Sequence, residues 1–467
     1  MINLSPKKLN FYKFLTVKLT NDDLYPHYLH GQDFSLGQVR DFWRKTVKAI
    51  LEKKAPQKLG LYIHIPFCRQ KCFFCSCDSY IPPSYKEVGD YLGLLKREID
   101  AFRDIFKRVS LTSVYFGGGS PSFLKTPDLK NLFRYLYRSF NIHPKAQLIF
   151  EGTPRDLNEE NLAAIAKYGV NRLTIGVQSL DPKVIKLMKR PQSKKDFIRV
   201  FKLARRLGIP YINIDLIAGL EGQSVKSFLS DLKTMLDLGA DMIHVTGFTP
   251  LAHTPFCRAG KKLSPSQEEN RKTMLAASRK IFKMVFKEID CENSGLSERA
   301  ENVQETDLRK ENSSLLGIGY SAQSHAFSQA WYAHPHLVDL ALADHKPNYK
   351  RLPVFTGVRG SLDEEMRKFI FSNLQRGFSR KFFSGLFGRD PVDFFRKEIT
   401  ALTAMGKLEI KGDRVISRIN GRQEFLVLSK IFYSPERIRA ILRVHGKEYD
   451  KNKDYQTDLN ILYDETD

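Results

Sequence analysis

The sequence predicts an α/β protein in which parallel strands curl into a full or partial barrel. Three observations predict it: six short β-rich segments, helical patterns between successive segments, and glycine-rich or polar residues directly after several of them. Strands separated by helices pair in parallel through right-handed crossovers, and such barrels carry their reactive groups at the carboxyl ends of the strands. The segments are 61–65, 113–116, 147–151, 172–176, 211–217 and 242–248.

An N-terminal arm, residues 1–58, is predicted to precede the barrel. A helix is expected from about Ser35 to Lys54, because apolar residues recur there at helical spacing, and it should pack on the main body. Its apolar side is formed by Val39, Phe42, Trp43, Val47 and Ile50.

Residues 59–290 are assigned to the barrel, which ends with a long helical region from Pro265 to Glu288. The polar stretch 291–312 shows no clear periodicity and is predicted to loop over the barrel mouth, within a barrel-closing segment 291–360. Helical patterns at 362–374 and 392–405 then lead to a hairpin at 408–416. Residues 361–467 are therefore predicted to form a helical, winged-helix-like domain, an outline that also occurs in nucleic-acid-binding proteins.

Composition points to a soluble globular protein. Hydrophobic residues make up 42% and charged residues 27% of the 467 positions, and no apolar stretch approaches the ~20 residues of a membrane span. The start of the chain lacks the apolar core of a signal peptide, and most of the six cysteines share one motif, which suits metal binding in a reducing compartment. The predicted location is the cytoplasm.

The formal charge of +23 implies attraction to an anionic partner, such as nucleic acid, a membrane surface or a polycarboxylate. Many of the cations lie in helical segments such as 194–206, where they fall opposite an apolar stripe. A solvated outer face explains those cations without a partner.

The most specific chemical signal is the spacing Cys-x-x-x-Cys-x-x-Cys formed by Cys68, Cys72 and Cys75. Three thiolates can hold three irons of a four-iron cluster and leave the fourth iron open for another ligand, much as catalytic zinc sites keep one open position. A zinc knuckle is the alternative, but it usually has two separated ligand pairs, whereas the remaining cysteines, Cys257 and Cys291, are isolated. Cys77 could be a fourth ligand of a closed electron-transfer cluster.

This spacing, together with the preceding Tyr62-Ile-His-Ile-Pro-Phe67, resembles the radical S-adenosylmethionine superfamily and, within it, the family of oxygen-independent coproporphyrinogen III oxidases. The resemblance implies a partial six-stranded barrel and a 4Fe-4S cluster on Cys68, Cys72 and Cys75. It also implies S-adenosylmethionine on the open iron, cleaved to a deoxyadenosyl radical that abstracts hydrogen. The Cys-x-Cys ending at Cys77 resembles the oxidases more than the haem-chaperone branch.

Further polar residues follow the predicted strands. Glycines at 117–119 would let backbone amides approach a ligand, although a flexible turn has the same composition. Glu151 ends the third strand, where a solvated acid would be unremarkable, and Asp215 lies inside an apolar strand, where a buried acid needs partners. Strand alternation makes Asp215 face the barrel interior or its mouth.

The resemblance covers about residues 59–250 and implies contact with S-adenosylmethionine for nine residues. Gln178, Arg190 and Asp215 resemble a second-site set, so one or two molecules are expected; barrel packing and ion pairs are the alternative role. The nine residues are Tyr62, Phe74, Gly118, Gly119, Ser120, Glu151, Gln178, Arg190 and Asp215.

Two segments typical of the oxidases are missing. Residues 291–296 stand in place of an Asn-Phe-Gln-Gly-Tyr segment. An N-terminal Pro-Arg-Tyr-Thr-Ser-Tyr-Pro segment is also missing, and residues 24–28 are only weakly similar to it. The predicted function is therefore a radical oxidoreductase acting on a tetrapyrrole or another small, carboxylate-bearing anion, with an electron donor such as flavodoxin or ferredoxin. The alternatives are a methyltransferase that uses two S-adenosylmethionine molecules, a haem chaperone without turnover and a nucleic-acid-binding protein.

Overall fold

The computed structural model describes residues 31–286, 288–289, 294–296, 301–337 and 348–439. The first half of the predicted N-terminal arm, including 24–28, and the chain after 439 lie outside the described residues. The described strands are β1 (Gln32–Phe34), β2 (Leu59–Ile65), β3 (Ser110–Gly118), β4 (Asn141–Gly152), β5 (Arg172–Gln178), β6 (Tyr211–Ala218), β7 (Met242–Gly247), β8 (Glu288–Ile289), β9 (Ser294–Leu296), β10 (Ser314–Ile318), β11 (Gln323–Ala326), β12 (Ala330–Ala333), β13 (Phe355–Arg359), β14 (Phe378–Ser379), β15 (Leu408–Lys411) and β16 (Arg414–Ser417).

Helices fill the intervals between the barrel strands and form most of the C-terminal region. They are α1 (Leu36–Leu51), α2 (Tyr85–Phe106), α3 (Thr126–Ser139), α4 (Glu159–Lys167), α5 (Pro182–Leu187), α6 (Lys194–Arg206), α7 (Val225–Asp237), α8 (Pro255–Arg258), α9 (Pro265–Val285), α10 (Val303–Lys310), α11 (Leu362–Asn373), α12 (Arg380–Phe387), α13 (Pro391–Phe394), α14 (Arg396–Ala404) and α15 (Gly421–Leu428). None of the described helices is long and apolar enough to cross a membrane.

The main sheet runs in the order β1-β13-β12-β11-β10-β2-β3-β4-β5-β6-β7-β9-β8. All six predicted barrel strands are present as β2 to β7, each parallel to its neighbour, so the α/β partial barrel is confirmed. β10 adds a seventh parallel strand beside β2. At the other end β7 pairs antiparallel with β9, and the sheet order therefore leaves the barrel open between β7 and β10.

The N-terminal helix packs on the body as predicted. α1 begins after Ser35, whose side chain accepts from the N–H of Gln38 in a capping box. Trp43 is fully buried and donates from its indole N–H to the hydroxyl of Tyr332 in β12 at 2.7 Å. β1 extends the sheet by pairing with β13.

The prediction for residues 291–312 is wrong where the chain is described. Instead of an irregular loop over the mouth, residues 303–310 form α10, which lies at the opposite, amino-terminal end of the barrel. Lys58, just before β2, contacts Asp307 of α10 at 2.7 Å, and Gln147 accepts from the N–H of Val303 at 2.9 Å. α10 was not predicted from hydrophobic periodicity because two of its buried side chains, Gln304 and Asp307, are polar.

The C-terminal region has the predicted order of helices followed by a hairpin. β15 and β16 form that hairpin, and β14 completes a three-stranded sheet in the order β14-β16-β15. The predicted helix 392–405 is divided at Phe395 into α13 and α14, and α12 was not predicted. The winged-helix-like description and the four domain boundaries remain predictions.

The β12–β13 pair offers a test of this packing. A Cβ on Gly357 of β13 would lie 2.1 Å from the carbonyl oxygen of Trp331, whereas a Cβ on Gly385 of α12 would meet nothing within 4 Å. We expect Gly357→Ala to lower the free energy of unfolding by about 1–3 kcal/mol through overpacking. The matched Gly385→Ala should raise it by about 0.5–1 kcal/mol, because alanine suits a helix interior better than glycine. Urea-unfolding midpoints measure both, and equal midpoints for the two variants would contradict the strand pairing.

Candidate functional site

The loop that carries the three cysteines follows β2 at the carboxyl end of the parallel strands. At its base the N–H of Cys68 donates to the carbonyl of Tyr80 at 2.9 Å. At its tip the N–H of Phe73 donates to the carbonyl of Met188 at 2.9 Å, and the N–H of Phe256 donates to the carbonyl of Phe73 at 3.0 Å. Backbone hydrogen bonds therefore fix this cysteine loop, residues 66–80, at both ends.

Cys68, Cys72 and Cys75 line a single cavity that opens to solvent at the barrel mouth. Its other walls come from the glycine segment after β3, the residues after β4 and the residues after α5. The cavity brings together seven of the predicted site residues: the three cysteines, Phe74, Gly119, Ser120 and Arg190.

The cavity fits a four-iron cluster. Among the described residues, no three His, Cys, Asp or Glu side chains converge on a position for a single metal ion. A cubane makes a different demand, because each thiolate binds a different iron and the sulfurs must surround a hollow. The three thiols border such a hollow, and thiolates are the donors that iron–sulfur clusters use.

Cys77 is not part of that cavity lining. Its thiol hydrogen-bonds with the thiol of Cys75, which lowers the pKa of Cys75 to about 5. The same bond raises the pKa of Cys77 well above its ordinary value. Burial raises the pKa of Cys68 to about 12. Cys77 thus lies beside one of the predicted cluster ligands, within electrostatic range of Glu151.

Glycines are required where the segment after β3 passes under the cysteine loop. The N–H of Gly119 donates to the carbonyl of Ile65 at 2.9 Å, and a Cβ on Gly119 would lie 2.4 Å from the carbonyl oxygen of Pro66. Gly118 has φ +113°, and a Cβ there would lie 2.7 Å from Nε2 of His64. Side chains are excluded at both positions, so this backbone forms a close-fitting floor beside the thiols.

Two acids face the barrel interior below the cavity. Glu151 accepts from the hydroxyl of Tyr115, and Asp215 accepts from Nδ2 of Asn213 at 2.8 Å. Burial raises the pKa of Glu151 to about 7, and Asp215 adds to this rise, whereas the Tyr115 hydrogen bond and Arg172 oppose it. Asp215 faces inward, as strand alternation predicted. Glu151 therefore changes charge near neutral pH and, when ionised, can accept hydrogen bonds from a cationic or hydroxylated ligand.

Tyr62 lies close to these acids on β2. Its hydroxyl is 3.2 Å from Nδ1 of His64, and Nε2 of His64 is 3.2 Å from the carbonyl oxygen of Asp78. Because a carbonyl only accepts, Nε2 carries the proton and Nδ1 accepts from Tyr62. Burial lowers the pKa of His64 to about 4, and burial followed by the charge of Glu151 raises the pKa of Tyr62 well above its ordinary value. A chain of neutral groups thus connects Tyr62 with the cysteine loop.

Arg190 joins the end of β5 to the cluster cavity. Its Nη1 donates to Sγ of Cys72 at 3.4 Å, its Nη2 donates to the carbonyl of Gly176, and its guanidinium lies 5.8 Å from the ring centroid of Phe74. Gln178 ends β5 with φ +67°. A Cβ on Gly176 would lie 3.1 Å from Nε2 of Gln178 and 3.3 Å from Nη2 of Arg190. The side chains of Gln178 and Arg190 therefore converge at that glycine.

The twelve predicted residues therefore form two adjoining groups. One group lines the thiol cavity, with Gln178 beside Arg190. The other group, Tyr62, Glu151 and Asp215, lies in the barrel interior. Gly118 connects them, because its backbone hydrogen-bonds to the Glu151 carboxylate.

Sequence reasoning missed Arg172, the main cation of the barrel interior. Arg172 is 2% exposed and donates to Oγ1 of Thr174 at 3.1 Å and to Sδ of Met242 at 3.0 Å. The signal was present, because 172, 174 and 176 are alternate positions of β5 and share one face, and the predicted Gln178 lies beside Gly176. Charge compensation for Glu151 and Asp215 could have been sought on that face.

Sequence reasoning also missed two of the three arginines around the thiol cavity. Arg69 and Arg155 line it together with Arg190. The acid in the lining is Asp156, which accepts from Nε of Arg69 at 2.5 Å. The rim of the cavity is therefore cationic and suited to carboxylate ligands.

Comparison with known proteins gives a consistent result. The sequence model of the radical SAM (S-adenosylmethionine) superfamily matches residues 62–235 of this chain. The oxygen-independent coproporphyrinogen III oxidase of Escherichia coli is 29% identical over 238 residues, which cover 51% of this chain and 50% of that protein. The protein of the same name from Helicobacter pylori is 27% identical over 370 residues, covering 75% and 79%. The heme chaperone HemW of Buchnera aphidicola is 30% identical over 225 residues, covering 48% and 59%.

The solved structure of the Escherichia coli coproporphyrinogen III oxidase HemN shares the fold. It matches with a TM-score of 0.72 and 20% identity, over 90% of this chain and 98% of that chain. The sequence matches are shorter, and this chain spans about half the length of several curated relatives, the Escherichia coli oxidase among them. Superfamily model, relatives and fold agree with the cysteine cavity at the mouth of the barrel. Residues 62–235 of the chain thus match the radical SAM superfamily, and the proteins to which the chain is similar include oxygen-independent coproporphyrinogen III oxidases and the heme chaperone HemW.

Proposed function

We propose that this protein is a radical SAM oxidoreductase that removes hydrogen from a tetrapyrrole or another carboxylate-bearing substrate. The observation that carries the proposal is the cavity at the barrel mouth, which combines three thiols with a rim of arginines. The thiols suit an iron–sulfur cluster, and the arginines suit an anionic ligand.

In this proposal Cys68, Cys72 and Cys75 hold a 4Fe-4S cluster. When bound, the cluster and S-adenosylmethionine would supply a deoxyadenosyl radical that abstracts hydrogen from the substrate. The protein's own part is to bind and orient. The backbone at Gly118 and Gly119 and the hydroxyl of Ser120 form the floor for the methionine end of the cofactor.

The interior acids and the residues of β5 would hold the rest of the cofactor. Glu151 accepts hydrogen bonds from the first S-adenosylmethionine molecule, with Tyr62 and Phe74 beside it. Gln178, Arg190 and Asp215 form the proposed site of a second molecule. Its support is the meeting of Gln178 and Arg190 above Gly176.

The rim arginines support the substrate class. Arg69 and Arg155 are exposed at the cavity, and Arg190 beside them is half-buried. Arg69 is also hydrogen-bonded to Asp156. Carboxylates bind guanidinium groups through paired hydrogen bonds, and a tetrapyrrole carrying several propionates could engage more than one arginine.

A heme chaperone is the second candidate, because HemW is among the relatives. Anaerobic incubation of the reconstituted protein with S-adenosylmethionine, a reductant and candidate porphyrinogens distinguishes the possibilities. We expect substrate-dependent release of deoxyadenosine and carbon dioxide together with a vinyl-bearing product, with the remaining electron of the substrate radical passing to an added one-electron acceptor. Haem binding without deoxyadenosine would indicate the chaperone, and S-adenosylhomocysteine formation would indicate methyl transfer.

The cluster ligands can be tested one by one. We expect Cys68→Ser, Cys72→Ser and Cys75→Ser each to lose the cluster after anaerobic reconstitution, because each would remove the thiolate of one iron. Cys77→Ser should keep it, since Cys77 is outside the cavity lining, and Cys257→Ser is the matched control. Iron and sulfide content and visible absorbance measure the outcome. Loss of the cluster in Cys77→Ser would indicate a closed, four-thiolate site.

Glu151 gives a pH prediction. Because its raised pKa is about 7, the carboxyl is mainly protonated at pH 6 and ionised at pH 8. If the ionised form binds the cofactor, affinity for S-adenosylmethionine should be about tenfold higher at pH 8 than at pH 6. Equilibrium dialysis measures it, with Glu151→Gln expected to remove this part of the dependence and the exposed Glu269→Gln to retain it. Identical pH profiles for wild type and Glu151→Gln would contradict the role of Glu151.

A further inference from the structure

A dense cationic surface surrounds the tip of the cysteine loop. It is formed by two segments, 182–190 and 255–263, which begin with α5 and α8 and contain no aspartate or glutamate. Both segments bond to the backbone of Phe73, through Met188 and Phe256. Their cations are Lys183, Lys186, Lys189, Arg190, Arg258, Lys261 and Lys262.

Phe73 lies at the centre of this surface. Nζ of Lys189 is 5.2 Å and Nζ of Lys261 is 5.4 Å from the centroid of the Phe73 ring. Phe73 directly follows Cys72, a predicted cluster ligand. The half-buried Phe73 ring with its two flanking ammonium groups therefore marks a short covalent route from the protein surface to the cluster cavity.

The surface carries a large excess of positive charge. All its cations except Arg190 are exposed, and the exposed Leu187 lies among them. In the described part of the chain their one ion pair joins Lys261 to Glu221 at 2.7 Å. Clustered, unneutralised cations repel one another, so an opposing anionic surface would stabilise them.

The surface is firmly attached to the cysteine loop. Below it lies a small hydrophobic cluster, separate from the main core, in which Phe73 and Phe74 pack against residues of α5, α8 and the ends of β6 and β7. A protein that docks here would thus contact a rigid part of the cluster site. The buried members of this cluster are Val184, Met188, Leu220, Phe248 and Phe256.

We propose that this surface, with Phe73 at its centre, is the docking site of an acidic one-electron donor protein that carries a reduced flavin or iron–sulfur centre. The inference rests on the proposed function, in which the cluster must be reduced. In each encounter the donor loses one electron and the cluster gains it, and no atom is transferred. Complementary charge would speed the encounter and orient the donor's centre towards the cysteine loop.

The test compares a protein donor with a small neutral one. Lys186→Glu, Lys189→Glu and Lys262→Glu are combined, and Lys130→Glu, Lys202→Glu and Lys411→Glu form the control with the same change in net charge at exposed sites elsewhere. Stopped-flow absorbance follows reduction of the reconstituted cluster by reduced flavodoxin, an acidic flavoprotein, and by photoreduced 5-deazariboflavin. Iron content confirms equal cluster loading.

We expect the patch variant to lower the second-order rate with flavodoxin at low salt by about tenfold or more. The rate should also lose most of its decline with rising salt. The rate with 5-deazariboflavin should stay unchanged, because that reductant needs no docking surface, and the control variant should retain the wild-type rate with flavodoxin.

An equal fall of the flavodoxin rate in the patch and control variants would overturn the inference, since net charge alone would then explain it. An unchanged flavodoxin rate in the patch variant would overturn it as well. Loss of DNA or vesicle binding with unchanged reduction would also overturn it and assign the surface to those partners. Deoxyadenosine production with 5-deazariboflavin tests the proposed function independently. If it succeeds while flavodoxin fails to discriminate between the variants, only the docking site is wrong; if no cluster assembles, both proposals are wrong.

Discussion

The candidate site depends on the close contact between the cysteine loop and the glycine segment after β3. The carbonyl of Pro66 lies where a side chain on Gly119 would be, and the N–H of Gly119 is bonded to Ile65 at the end of β2. This contact sets the height of the loop base above the sheet. The hydrogen bonds of Phe73 to Met188 and Phe256 set the position of its tip. With both ends fixed, the thiols are preorganised around the cavity.

Charges of opposite sign occupy adjacent parts of this site. The interior holds Glu151 and Asp215, whose burial is made tolerable by hydrogen bonds from Tyr115 and Asn213 and by the nearby Arg172. The cavity rim, by contrast, is lined by arginines. A ligand with cationic and hydroxylated groups at one end and carboxylates at the other matches this separation, and S-adenosylmethionine beside an anionic substrate has that character.

The sequence predicted features that rest on local pattern. The six barrel strands, α1 and the hairpin were predicted because hydrophobic periodicity and turn residues are local signals. Strand alternation also predicted correctly that Asp215 faces inward. α10 was missed because Gln304 and Asp307 are buried polar residues that gain their partners from distant strands. Arg69 and Arg155 were missed for a similar reason: they meet the predicted Arg190 only when three loops converge.

The segment predicted to stand in place of the oxidases' Asn-Phe-Gln-Gly-Tyr sequence lies apart from the thiol cavity. The segment that replaces their Asn-Phe-Gln-Gly-Tyr sequence ends in β9, which pairs with β7 at the open edge of the barrel. The cysteine loop lies several strands away, after β2. β9 and the cysteine loop therefore lie in separate parts of the sheet, so a change of sequence in β9 leaves the backbone contacts that fix the thiols in place.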